Sequence, residues 1–331
     1  MPDTVNSEIV DYDALYTLLE PRLGDVHTRQ RIGIEKHYHQ KVYDRKRRLL
    51  YLENWYSIHG LMRGILRASG FYWRGKRNAL NIQTRYNTLY SPLIPTRFHN
   101  FQILHLSDLH IDMSPEFVHA LISAVRAVNY DMVVMTGDYR GLTFGSFQET
   151  LKRLALLRVH LKGQVYGVLG NHDCLGMVPE MEKLGIQMLM NENCSISLSP
   201  EAPEAQQTEK IYLAGIDDAH FFRVDNIEKA RAGIPDNQFS LLLSHTPEVY
   251  LQAAHAGFNA FLCGHTHGGQ ICLPGGTPII LDSNCPRYVG KGAWHCGAMQ
   301  GYTSVGAGSS IIDVRLNCLP EITIHRLHQS K

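Results

Sequence analysis

A chain of 331 residues, 44% apolar and 19% charged, can bury a large core and has a globular composition, not that of a disordered or fibrous protein. Its seven cysteines are odd in number and lack CxxC spacing, which argues against a disulfide framework or a zinc ribbon and for a reducing compartment. The formal net charge of +1 hides an asymmetry: residues 21–90 carry fifteen Lys and Arg against four acids (+11), and residues 91–331 carry seventeen against twenty-two (−5). A basic front end on a slightly acidic body implies an anionic partner, or else a solvated helical face.

The first twenty residues contain no Lys or Arg, so they do not read as the basic start of a signal peptide. No apolar run approaches the roughly 18 residues needed to cross a bilayer. The expectation is a cytoplasmic protein, peripheral to the membrane at most. Leu49, Leu52, Trp55, Ile58, Met62, Ile65 and Leu66 recur at helical spacing, with Arg48, Glu53, Arg63 and Arg67 on other faces. Gly70 is a candidate helix stop, followed by the aromatic-basic stretch Phe71 to Arg77. A basic apolar helix of this kind suits an anionic lipid interface, with stacking on nucleic acid as the alternative. Pro92 and Pro95 mark a boundary, which divides the chain into a basic helical extension (residues 1–97) and a main domain (residues 98–331).

From Phe101 the pattern changes to short apolar runs separated by helical stretches. Strands are predicted at Phe101–Leu106, Met132–Thr136, Gln164–Leu169, Ile211–Ile216, Phe239–Leu243 and Phe258–Leu262. Helices are predicted at 115–128, 147–160, 225–232 and 247–255, which makes an α/β domain. Ile311–Leu316 and Glu321–Leu327 read as closing strands, and Ser199–Glu209, rich in proline and glutamate, as a mobile surface loop.

Polar residues gather where these runs end: Asp108 and His110, Gly137-Asp138, Gly170-Asn171-His172-Asp173, Ser244-His245, and Gly264-His265-Thr266-His267. Functional groups of α/β sheets collect beyond the carboxyl ends of strands, where loops from distant sequence converge. A lone histidine beside an apolar strand is usually a satisfied core residue; five separate strand ends of this kind indicate a site. Asp108, His110, Asp138, Asn171, His245, His265 and His267 supply seven ligand groups, too many for one ion. Two ions sharing one carboxylate would use all seven. Mixed His/Asp/Asn ligation without thiolate suits Mn²⁺, Fe or Zn²⁺ rather than Ca²⁺. Such a pair activates water at neutral pH and stabilises an in-line phosphoryl displacement. His172 is the spare histidine, a candidate general acid for the leaving oxygen, with Asp173 placed to orient it or raise its pKa. Arg140 is a candidate bidentate clamp on the substrate phosphate. Cys174 and Cys263 flank ligands and read as small buried hydrophobes. His295, Tyr288 and Tyr302 lie where substrate contacts form, without a ranking among them.

This ordered set resembles the motif series of the calcineurin-like metallophosphoesterases, over about residues 100–331. The resemblance implies a four-layer αββα sandwich with a di-metal site at one edge. It also implies Asp108, His110 and His267 on the first ion, Asn171, His245 and His265 on the second, Asp138 bridging, and His172 facing the phosphate with Asp173 behind it. Gly264 to Gln270, Leu273-Pro274 and Gly306 to Gly308 resemble the bacterial branch that includes membrane-associated UDP-2,3-diacylglucosamine hydrolases. After Gly137-Asp138 the chain reads Tyr139-Arg140-Gly141-Leu142, unlike the longer string of the protein phosphatases, which argues against a protein substrate. Three functions compete: a phosphohydrolase acting on a lipid-linked nucleotide, a soluble nucleotide phosphodiesterase or nuclease, and a non-catalytic module of the same fold.

Overall fold

A computed structural model describes residues 10–47, 63–198 and 209–330. Most of the apolar stripe from Leu49 to Leu66 and most of the Ser199–Glu209 loop lie outside the described residues. Helices α1 (Tyr12–Leu23), α2 (Asp25–Arg47) and α3 (Phe71–Ala79) precede strand β1 (Gln83–Ser91). There follow β2 (Gln102–Leu106), α4 (Pro115–Arg126), β3 (Met132–Met135), α5 (Gln148–Arg158), β4 (Gln164–Gly167), α6 (Met177–Lys183), β5 (Ile186–Met188) and β6 (Glu192–Ser197). The second half runs β7 (Lys210–Gly215), α7 (Ile227–Arg231), β8 (Ser240–Leu243), α8 (Tyr250–His255), β9 (Ala260–Cys263), β10 (Gly292–Cys296), β11 (Met299–Thr303) and β12 (Glu321–Gln329).

Two six-stranded sheets result, ordered β1-β12-β2-β3-β4-β5 and β10-β11-β9-β8-β7-β6. Strands β2 to β5 run parallel, as do β7, β8, β9 and β11. Of these, β2, β3, β8 and β9 are buried on both faces and therefore read as nearly unbroken apolar runs. Side-chain alternation sends each strand into two cores. Ile103, Met132 and Val134 meet Leu213, Leu241 and Leu262 between the sheets. Leu104, Leu106, Val133 and Met135 face Phe117, Leu121, Leu154 and Met181 of the helices on one side. Leu242 and Phe261 face Ala230 and Ala253 of the helices on the other. The order is helix, sheet, sheet, helix: the expected four-layer sandwich.

The boundary at residue 97 is corrected. β1 is a full strand of the first sheet, in parallel register with β12 from Gln83 opposite Glu321 to Ser91 opposite Gln329. α1 and α2 also belong to the body, because Leu15, Leu19, Leu23 and Ile32 join the core on the helical side of that sheet. Gly70 does interrupt the helical path, with a left-handed φ of 75° just before α3. Ile311–Leu316 is not a strand; Leu316 makes only an isolated bridge to Ile271.

Candidate metal centre

The five predicted strand ends that carry these clusters converge on one edge of the sandwich, and the ligand atoms form two groups. Asp108, His110 and His267 make one, and Asp138, His245 and His265 the other, with the ligand atoms of each within 4.8 Å of one another. Asn171 joins the second group through Oδ1, 2.9 Å from His245 Nε2. Asp138 lies between the two: its Oδ2 is 3.3 Å from His245 Nε2 and 3.8 Å from His110 Nε2. A carboxylate so placed is suited to serve both groups.

The donor set fits divalent ions. His110 Nδ1 donates to the Arg140 carbonyl at 2.8 Å, and His245 Nδ1 to the Thr136 carbonyl at 2.7 Å. That leaves both Nε2 atoms facing the centre, the arrangement in which an outer hydrogen bond fixes the tautomer of a ligating histidine. Across each group, ring nitrogens approach closely: His110 Nε2 to His267 Nε2 at 3.1 Å, and His265 Nδ1 to His245 Nε2 at 3.2 Å. Burial depresses His110 to about 4 and holds His265 and His267 well below the usual histidine range, so these three are neutral and ready to ligate. Burial would lower His245 too, but the Asp138 carboxylate outweighs it and raises this imidazole to about 10. Burial, opposed by His245 and reinforced by the Asp138 carboxylate, leaves Asp108 raised to about 6.

Local backbone geometry is as specialised as the side chains. Asp108, His110, Asp138, His265 and His267 all have positive φ, between 39° and 71°. Such conformations cost energy in non-glycine residues and cluster where function demands them. Glycine is needed where loops cross at close range. A Cβ at Gly264 would stand 1.9 Å from Ser107 Oγ and 2.2 Å from Asp108 Oδ2. A Cβ at Gly308 would stand 2.1 Å from the Leu109 carbonyl oxygen, which accounts for the late Gly-x-Gly.

His172 sits at the rim, its side chain one-fifth exposed and its Nε2 3.9 Å from Asp138 Oδ2. Its orientation corrects the sequence reading of Asp173. That carboxylate is fully buried and accepts the backbone N–H groups of Asp138 (2.7 Å), Tyr139 (3.0 Å) and Gly170 (2.8 Å), so it fixes the two ligand loops to each other. The group beside His172 is Thr143, whose Oγ1 lies 3.0 Å from Nδ1. Arg140 is corrected as well. Its guanidinium is buried and donates to the carbonyls of His172, Thr143 and Gly145, so it braces the rim loop and has no free fork for a phosphate. Cys174 and Cys263 are buried, with burial raising both thiols. Tyr302 is buried and donates to Glu321, away from the ligands; His295 and Tyr288 are exposed.

Sequence reasoning missed a neighbour of the second group. His220 packs on His265 with ring centroids 4.2 Å apart, and its Nδ1 is 3.1 Å from Glu248 Oε1. With the exposed Asp282 it forms a further ligand-type group that includes His265. The signal was present, since Asp217-Asp218-Ala219-His220 follows the predicted strand Ile211–Ile216 as the other clusters follow theirs.

α2 docks directly behind this edge. Arg31 is fully buried, donates through Nη2 to the Asp173 carbonyl at 3.0 Å, and lies 3.4 Å from Glu35 Oε1 and 3.5 Å from Asp217 Oδ2. His27 Nε2 meets the same Asp217 oxygen at 2.8 Å, and Glu35 accepts the Leu175 N–H at 2.8 Å. On α1, Arg22 pairs with Glu182 and Glu192. Part of the basic excess of residues 21–90 is therefore spent inside the protein.

Residues 101–269 match the calcineurin-like phosphoesterase family. The chain is 30% identical to the Bacillus subtilis metallophosphoesterase YkuE over 255 residues, 74% of this chain and 85% of that one. It is 27% identical to the B. subtilis metallophosphoesterase YkoQ, covering 78% of this chain and 94% of that protein. The Escherichia coli phosphodiesterase YaeI is 28% identical, over 69% of this chain and 82% of its own length.

Proposed function

The chain belongs to the calcineurin-like phosphoesterases, metal-dependent hydrolases of phosphoesters, and from that premise we propose that it cleaves a phosphodiester or pyrophosphate bond in a lipid-linked nucleotide of the UDP-2,3-diacylglucosamine type, at an anionic membrane surface. The observation that carries the hydrolytic reading is the pairing of two ligand groups around Asp138 Oδ2, with His172 at their rim. Two divalent ions held there, Mn²⁺ in this reading with Fe or Zn²⁺ as alternatives, supply water activation and stabilisation of phosphoryl charge. Asp108, His110 and His267 would hold one, Asn171, His245 and His265 the other, and Asp138 both. His172 gives its proton to the leaving oxygen from the exposed side of the centre, with Thr143 orienting its ring. Every ligand position is filled and converges, which disfavours a non-catalytic module.

The amphiphilic substrate rests on less. α3 presents Phe71 (47% exposed) and Trp73 (67% exposed) beside Arg74, a combination suited to the headgroup boundary of an anionic bilayer. No helix among the described residues is long and apolar enough to cross a membrane. The name of YaeI, a phosphodiesterase, agrees with a diester rather than a monoester substrate. The test is a Mn²⁺-loaded assay on UDP-2,3-diacylglucosamine, bis-p-nitrophenyl phosphate and single-stranded DNA, with flotation on liposomes of varied anionic content. Preferred turnover of the acylated nucleotide with salt-sensitive flotation is expected. Turnover of DNA or the small diester alone, without flotation at any composition, would favour the soluble phosphodiesterase or nuclease reading.

A further inference from the structure

A basic concavity lies next to the metal centre, its lining residue Cys318 donating to the His267 carbonyl at 3.5 Å. It is a cavity of about 440 Å³ lined by Arg74, Asn78, Arg85, Lys291, Asn317 and Glu321, among others. Its walls come from α3, β1, the turn before β10 and the segment entering β12. They are fixed by backbone contacts: Arg315 N donates to the Gly75 carbonyl at 2.9 Å, and Asn78 Nδ2 to the Arg315 carbonyl at 2.9 Å. α3 lies so close to this segment that a Cβ at Gly75 would stand 2.8 Å from Val314 Cβ. The cavity shares no residue with either ligand group. Buried Arg315 lies between, donating to the carbonyls of His267 and Gly308.

Its charges are unbalanced. Glu321 is already engaged: Oε1 accepts the Tyr302 O–H at 3.0 Å and the Val305 N–H at 3.3 Å, while Oε2 lies 3.8 Å from Arg85 Nε. Among the described residues, neither Arg74 nor Lys291 has an acidic partner, and Lys291 Nζ donates to Cys318 Sγ at 3.7 Å. Two exposed cations therefore rim a concavity without an acidic partner, and a local excess of positive charge of this kind draws in anions. An arginine fork and a lysine point charge together suit a phosphoryl group. The volume falls within the roughly 300–1,000 Å³ range of small-molecule sites, which leaves room for an organic group attached to the phosphate.

We propose that this cavity is a second, non-catalytic site for a phosphate ester, held by Arg74 and Lys291. The proposal stands on the cavity; it shares Arg74 with the bilayer-docking reading, and Lys291→Ser alone, at a residue that reading does not use, separates the two. The shared chemistry has two sources, the headgroup of an anionic phospholipid or a soluble phosphate ester, and the experiment separates them. Titration calorimetry of the full, metal-loaded chain with inorganic phosphate should show two binding events per chain, one at the metal centre and one here. Arg74→Ser with Lys291→Ser should weaken the second event at least about tenfold, as loss of two charge-assisted contacts implies. Metal content and turnover of bis-p-nitrophenyl phosphate should not change. Flotation with phosphatidylglycerol and with pure phosphatidylcholine vesicles assigns the source. Loss of phosphatidylglycerol binding in Lys291→Ser as well as in the double variant marks a headgroup site, and equal behaviour of Lys291→Ser and the wild type marks a soluble ester. A single phosphate event in the wild type, or unchanged affinity at both events in the double variant, overturns the proposal.

Discussion

Replacing Arg31 with methionine measures how far the N-terminal helices belong to the catalytic body. Methionine keeps much of the apolar stem, so the change mainly removes the cation. The guanidinium is fully buried, within 3.5 Å of carboxylates on two elements, and its carbon lies 3.2 Å from the Phe222 ring centroid. Its loss strands Glu35 and Asp217 in a dry environment. Removing one partner of a buried pair costs about 3–5 kcal/mol. Roughly 1 kcal/mol of that is the hydrogen bond to the Asp173 carbonyl. Burial already raises Glu35, so its proton uptake relieves part of the strain. For Asp217, burial is outweighed by Arg31 and then His27, which together hold it below the usual carboxylate range; the variant should lose the Arg31 share of that depression. The assay is urea unfolding of the metal-loaded chain followed by intrinsic fluorescence. A loss of about 3 kcal/mol or more is expected, largely recovered by adding Glu35→Gln and Asp217→Asn, since neutral isosteres need no counter-charge. A loss below about 1 kcal/mol, the range of an exposed pair, would mean that α2 is a peripheral appendage.

Three further outcomes are expected. Asp138→Asn should lower bound metal from two ions per chain and remove most turnover while the fold survives, read by elemental analysis and circular dichroism; two tightly held ions in the variant would contradict the bridging position. His172→Gln should cut turnover by about 10²–10⁴ at near-normal metal content, and wild-type turnover on a poor leaving group would refute the acid role. His105, buried between the sheets with Nε2 2.8 Å from Thr136 Oγ1, is depressed by burial to about 3. Its folded pKa lies below its unfolded one, so its contribution is complete above about pH 6.5 and is lost as pH falls toward 3, by up to about 1.4 kcal/mol per pH unit. The stability difference between wild type and His105→Gln should therefore shift against the wild type on acidification, and parallel pH profiles in urea unfolding would exclude this linkage.

The inner strands were legible because burial on both faces turns them into apolar runs, and the ligands because they directly follow those runs. β1 was not, since Gln83-Thr84-Arg85-Tyr86-Asn87 is an edge strand with a largely exposed pattern that resembles a linker. β5, at three residues, is too short to show a period, and β6 and β10 are edges with mixed patterns. Arg140 and Asp173 were placed correctly in the chain but given the wrong partners. Sequence position shows that a charged group is near the centre; only the folded loops show whether it faces the substrate or spends its hydrogen bonds on backbone. The same holds for Arg22 and Arg31, which counted as surface charge until the helices were seen packed against Glu192 and Asp217.

The left-handed backbone at five ligand positions has a consequence for how this chain tolerates change. At Asp108, His110, Asp138, His265 and His267, selection for the side chain opposes the preference of the main chain, and a glycine or asparagine would sit there with less strain. In a deep mutational scan read by abundance alone, these positions should look permissive toward glycine and asparagine, even favouring them in the metal-free chain. Read by turnover, the same positions should be intolerant. The gap between the two maps would outline the centre without any knowledge of the reaction, and lineages that lost the activity would be expected to drift toward those two residues first.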